Sequence, residues 1–133
     1  MIRIKTRGIE GLKQKISELP HGTRGLATME ASKYLVGNER RGLQHYPPPP
    51  PQSSYVRTYK LRFGWRVQPF EANTKTVIVN DVEYAPYVQG DNTQAWMHVG
   101  RWRTVAEVIQ ANMAGAMRAV DQAVARWLKN KGW

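Results

Sequence analysis

The residues of this 133-residue chain best suited to chemistry lie in YVRTYKLRFGWR, residues 55–66, where aromatic side chains interleave with cations. Nucleic-acid bases stack on exposed aromatic rings, and phosphates pair with Arg and Lys. Strict alternation, however, sends Tyr59, Leu61, Phe63, Trp65 and Val67 to one side of a strand and Lys60, Arg62, Gly64, Arg66 and Gln68 to the other. The expectation is a core face backed by a basic one, with Lys60, Arg62 and Arg66 as basic-face candidates that specify no sequence.

Catalytic chemistry has no comparable footing. No Ser-His-Asp, Cys-His or Gly-x-Ser-x-Gly pattern is present, and Gly22-Thr23-Arg24-Gly25 is a short turn that lacks the length of a phosphate-binding loop. The ten carboxylates are dispersed, so no acid–base pair stands out. With no cysteine, disulfides, thiolate nucleophiles and the common structural zinc sites are excluded. His21, His45 and His98 lack metal-ligand spacing. The chain reads as a non-enzyme without metal or cofactor.

Charge is the strongest compositional signal, a net +10. Residues 1–66 hold 13 basic and four acidic side chains, against seven and six in 67–133. Such a balance suits a surface facing nucleic acid or an acidic protein. No apolar stretch is long enough to span a bilayer, and MIRIKTRGIEG lacks the apolar centre of a secretory signal. The expectation is a soluble intracellular protein with no membrane partner.

The elements that must position these residues read as a single α+β domain over 1–133, with an extended Pro-rich loop at 46–54. Ile9, Leu12, Ile16 and Leu19 recur at helical spacing before Pro20. A second helix is expected over 23–35, capped by Thr23, with Leu26, Met29, Ala31 and Leu35 as its apolar positions and Gly37-Asn38 at its end. Strands follow at 59–67 and 74–80, and a short further strand at 94–99; Pro86 marks the intervening stretch as loop. Thr104 and Glu107 form a capping box that opens a long C-terminal helix, with apolar positions from Val105 through Trp127 and Leu128. The expected architecture is N-terminal helices, an antiparallel sheet of three to four strands, and the C-terminal helix packed on that sheet.

Three features suggest assembly. Pro47, Pro48, Pro49, Pro50 and Pro51 form a stiff, extended segment that loses little entropy on docking. Trp96, Trp102 and Trp133 lie near loops or the chain end, whereas Trp65 and Trp127 fall on apolar faces and belong to the core. Ala111, Ala114 and Gly115 lie away from the apolar positions of the C-terminal helix and permit close approach of another subunit, although alanine also simply favours helix. The subunit-interface candidates are the five prolines with Tyr55, Trp96, Trp102, Ala111, Ala114 and Gly115.

The order of motifs resembles the small tail-completion, or head-to-tail joining, proteins of long-tailed double-stranded DNA phages. The resemblance rests on Pro47 to Pro51, Arg57-Thr58 with Leu61, Val77-Ile78-Val79-Asn80, and Tyr84-Ala85-Pro86-Tyr87-Val88-Gln89-Gly90. Tyr59 stands where the family has a glycine after the threonine, and Gln89 where it has an acidic residue. The resemblance implies a non-enzymatic structural virion protein, a neck subunit in a ring around the DNA channel. Its partners would be further copies of itself and other neck and tail proteins of the virion, with non-specific DNA contact in the lumen, after assembly in the host cytoplasm. Two other readings fit the charge or the prolines: a small basic nucleic-acid-binding regulator or ribonuclease toxin, and an adaptor that presents its polyproline helix to a partner.

Overall fold

The structure, a computed structural model, describes residues 2–4, 10–48, 60–70 and 75–132. In chain order the elements are strand β1 (Ile2–Ile4), helices α1 (Glu10–Ser17) and α2 (His21–Val36), the one-turn helix α3 (Lys60–Phe63), strands β2 (Trp65–Phe70) and β3 (Lys75–Asn80), the short helix α4 (Ala85–Gln89) and the long helix α5 (Val105–Asn130). Two 3-10 turns, Gly42–Gln44 and Trp96–His98, join them. The fold is α+β with a long C-terminal helix, as expected.

The β-branched run in β3 makes it the central strand. It pairs antiparallel with β2, from Trp65 opposite Asn80 to Phe70 opposite Lys75. On its other edge it pairs antiparallel with β1, where Ile2 faces Asn80. Nothing in the sequence had marked the three residues of β1 as a strand.

Tyr59, the first residue of the strand expected over 59–67, lies outside the described residues, and among the described ones that strand begins only at Trp65. Residues Lys60–Phe63 instead close a helical turn, with the Gly64 N–H donating to the Lys60 carbonyl at 3.0 Å. Asn80, wholly buried at the end of β3, holds that turn in place: its Nδ2 donates to the Leu61 carbonyl at 2.9 Å, and its Oδ1 accepts the Val82 N–H at 3.0 Å. Leu61 and Trp65 are therefore buried four residues apart, and Phe63, expected in the core, is 77% exposed. The short strand expected over 94–99 is likewise the 3-10 turn Trp96–His98.

Helix α2 is the centre of the molecule. Ala27, Ala31 and Leu35 are buried at four-residue spacing, while Leu26, expected to be apolar core, stands 38% exposed. The helix starts earlier than expected, after Pro20, so Thr23 lies in its first turn and donates its hydroxyl to the Pro20 carbonyl at 2.8 Å. It ends at Gly37, whose φ of 74° suits a residue without Cβ. One side of α2 meets the sheet, where Ser32 hydrogen-bonds Thr76 of β3; the other meets α5.

Helix α5 thus packs chiefly on α2 and not on the sheet, which corrects the expected layering. Its N-terminus is capped as expected: Thr104 Oγ1 accepts the Glu107 N–H at 3.3 Å. Its buried residues include Val105, Val108, Ile109 and Val120, as the spacing predicts, and also Ala116 and Ala123, which it does not. Trp127 is half-buried at the rim and not in the core, with the Lys131 ammonium 5.7 Å from its ring. Among the described residues, no helix is long and apolar enough to cross a membrane.

Candidate interaction surface

Helix α4 explains why the segment after β3 exposes aromatic rings. Pro86 lacks an N–H, which costs nothing in the first turn of a helix, and the turn forms around it. Ala85, Val88 and Gln89 face inward, so Tyr84 and Tyr87 are left outside, Tyr87 at 59% exposure.

The loop that follows is bonded onto α4. Thr93 donates its hydroxyl to the Pro86 carbonyl at 2.5 Å, and the Ala95 N–H donates to the Tyr87 carbonyl at 2.7 Å. Gln94 Nε2 bridges the carbonyls of Val88 and Trp102, each at 2.8 Å. Asp91 accepts the Ala106 N–H at 2.8 Å and ties the loop to the start of α5. A loop so pinned presents its side chains in fixed positions.

Those side chains are apolar. Trp96 is 84% exposed, Val99 64% and Met97 55%, on the loop whose Ala95 N–H bonds to the carbonyl of the exposed Tyr87. Exposed apolar residues scattered singly need no explanation, whereas four exposed on one bonded segment make it the candidate contact surface. Trp, Tyr and Met are the types enriched at such surfaces. His98, between Met97 and Val99, turns inward edge-on to Trp102, at 6.1 Å between ring centroids. Burial, and then the nearby Arg101 charge, holds its pKa below the usual histidine value.

Of the sequence-predicted interface residues, Trp96 is the one this platform displays. Trp102 is half-buried and packs on Tyr46 at 4.8 Å, and the Tyr46 hydroxyl accepts the Trp65 Nε1–H at 3.1 Å, so Trp102 belongs to this aromatic cluster of its own chain. Pro47 is half-buried and Pro48 exposed, its carbonyl accepting Arg101 Nη2 at 2.9 Å. The run thus starts against the base of the platform. Pro49, Pro50, Pro51 and Tyr55 lie outside the described residues. Ala111 and Ala114 are exposed on α5, but Gly115 is buried: the ring of Tyr34 from α2 occupies the space where a Cβ would be. Gly115 therefore serves a contact within the chain.

The three basic-face candidates do not form one face. The helical turn breaks the alternation that would have aligned them. Arg66 on β2 pairs with Asp81. Arg62 Nε donates to the Gln44 carbonyl and Gln44 Nε2 to the Arg62 carbonyl, both at 3.0 Å, with the guanidinium 5.3 Å from the Tyr46 ring. Lys60 is exposed.

A groove missed by the alternation reading lies beside α3. Asn38, Glu39, Arg40, Gln44, Arg62 and Phe63 line it, with a volume of about 410 Å³. Its outer wall is a tight turn in which Asn38 N–H donates to the Arg41 carbonyl at 2.9 Å, flanked by Gly37 and Gly42 at φ 74° and 79°. Among the described residues, no three of His, Asp and Glu converge where a metal ion could be held.

Compared with known proteins, the chain matches no family model, no curated protein and no solved structure.

Proposed function

We propose that the chain is a structural virion protein, a tail-completion or neck subunit that joins tail to head of a long-tailed phage as part of a ring around the DNA channel. The motif order described above supports this reading, and the observation that carries it is the apolar platform of Tyr87, Trp96, Met97 and Val99. A subunit whose work is contact needs a rigid adhesive surface and no catalytic constellation. Heterologous contacts that close on themselves generate rings, and a platform of this kind docks on a copy of the chain or on an adjoining neck or tail protein. The excess positive charge would then meet an acidic neighbour or the DNA in the lumen. The chain is not an enzyme on this reading, binds no cofactor, and passes from the host cytoplasm into the virion.

The test is a Trp96→Glu/Met97→Glu variant supplied in trans to phage lacking the native gene. Both side chains are solvent-facing, so the purified variant should melt within about 2 °C of the native protein. Loss of a central aromatic anchor should cut the yield of joined particles by about 100-fold. A normal yield of infectious particles would mean that the platform is not the joining surface.

A further inference from the structure

We propose that the groove beside α3 binds single-stranded nucleic acid, with an unpaired base stacked on Phe63 and the flanking phosphates held by Arg40 and Lys60. The inference stands on its own geometry and does not need the virion reading.

Phe63 is held outward by a construction that spans three segments. Asn80 fixes the carbonyl of Leu61, and the reciprocal Gln44–Arg62 hydrogen bonds lock α3 to the Gly42–Gln44 turn. The ring is thus presented, 77% exposed, over a groove of nucleotide dimensions. Lys60 lies one helical turn before it, and so on the same side of α3. Arg40 is exposed on the opposite wall, where its N–H bonds to Asn38 Oδ1 at 2.8 Å and orders the turn. The described residues offer no ion pair to Arg40 or Lys60.

Charge selects the occupant. Arg40 and Lys60 outnumber Glu39, so an anion is attracted, and the exposed Phe63 ring asks for a flat ring between anionic groups. Glu39 repels a phosphate on its side, but its carboxylate accepts hydrogen bonds from the amino edge of a base. A nucleotide chain meets all of these demands. In a duplex the base faces are already stacked on one another, so Phe63 can reach only an unpaired base. Arg62 is a positioning residue, since its Nε holds the wall.

The experiment is fluorescence anisotropy of the purified full chain with a labelled oligonucleotide of about 20 nucleotides, single-stranded or annealed to its complement, at low salt and across a salt series. The native protein should bind the single strand more tightly than the duplex. Phe63→Ala should weaken the single strand by about ten-fold and leave the duplex unchanged, and Phe63→Trp should restore binding. Arg40→Glu should weaken both and lower the salt slope by about one. Circular dichroism confirms that each variant is folded, and the tryptophan variant serves if the alanine one is not. The proposal is overturned by tighter duplex binding, by unchanged single-strand binding in Phe63→Ala, or by no binding at low salt. It also falls if these variants bind no oligonucleotide differently and instead lose an acidic protein neighbour in particle assembly.

Discussion

Asn80→Leu unfolds at a markedly lower urea concentration than the native protein, with a loss of about 2–4 kcal/mol. The leucine fills nearly the same volume, so the cost is not a cavity. It comes from two buried main-chain groups: the Val82 N–H, which loses Oδ1 at 3.0 Å, and the Leu61 carbonyl, which loses Nδ2 at 2.9 Å and keeps only the longer bond from the Gly64 N–H at 3.2 Å. The unpaired Val82 N–H carries a full desolvation penalty, and the Leu61 carbonyl loses its shorter hydrogen bond. An unchanged slope of unfolding free energy against urea would place the effect in the native state. Because Asn80 anchors α3, the same variant should also lose the outward presentation of Phe63. A change below about 0.5 kcal/mol, the range of an ordinary surface substitution, would show that Asn80 does not clamp the turn.

A Gly115→Ala substitution should destabilise the protein although it lies inside a helix, where alanine is normally better than glycine by about 1 kcal/mol. The sign reverses because the new methyl group would fall within the ring of Tyr34. That ring is not free to swing aside: the Arg41 guanidinium lies 3.7 Å from its centroid, and Arg41 Nη1 donates to the Tyr34 carbonyl at 2.5 Å. Overpacking of this kind costs about 1–3 kcal/mol, a fall in melting temperature of about 3–10 °C for a chain of this size. Tyr34→Leu in the same chain should recover most of the loss, giving a strong coupling between the two positions. A rise in melting temperature for the single variant would mean that α2 and α5 do not cross at Gly115.

These two positions also mark where the sequence stops being readable. Helix α5, its Thr104 cap, the end of α2 at Gly37 and the strand β3 follow from local signals, because propensity, spacing and capping act within a few residues. The turn Lys60–Phe63 does not. Alternating Leu61, Phe63 and Trp65 satisfy a strand pattern, and the winning interaction comes from Asn80, nineteen residues further on. Strand β1 pairs with a segment more than seventy residues away, and three residues carry too little pattern to announce it. The small residues of α5 were ambiguous for a related reason: Gly115 reads as room for a neighbour, and only the fold shows that the neighbour is Tyr34 of the same chain.

The candidate surfaces divide in the same way. Trp96 was legible as an aromatic near a turn, and it is displayed. Pro86 carried an unused signal, since a residue that cannot sit in a central strand fits the first turn of a helix, and that turn is what exposes Tyr84 and Tyr87. Of the interleaved Arg and aromatic residues, Tyr55 and Tyr59 lie outside the described residues, and among the described ones Phe63 is the exposed ring, by way of the helical turn that alternation hid. Lys60, Arg62 and Arg66 were grouped by a strand geometry that this segment does not adopt.

The central claim is that the chain is built into a virion, and the most direct measurement is quantitative peptide mass spectrometry on purified particles, counting copies of this chain against the portal protein. The account predicts a small, fixed number of copies in every particle. Absence from particles, with the protein abundant in infected cells, would contradict it.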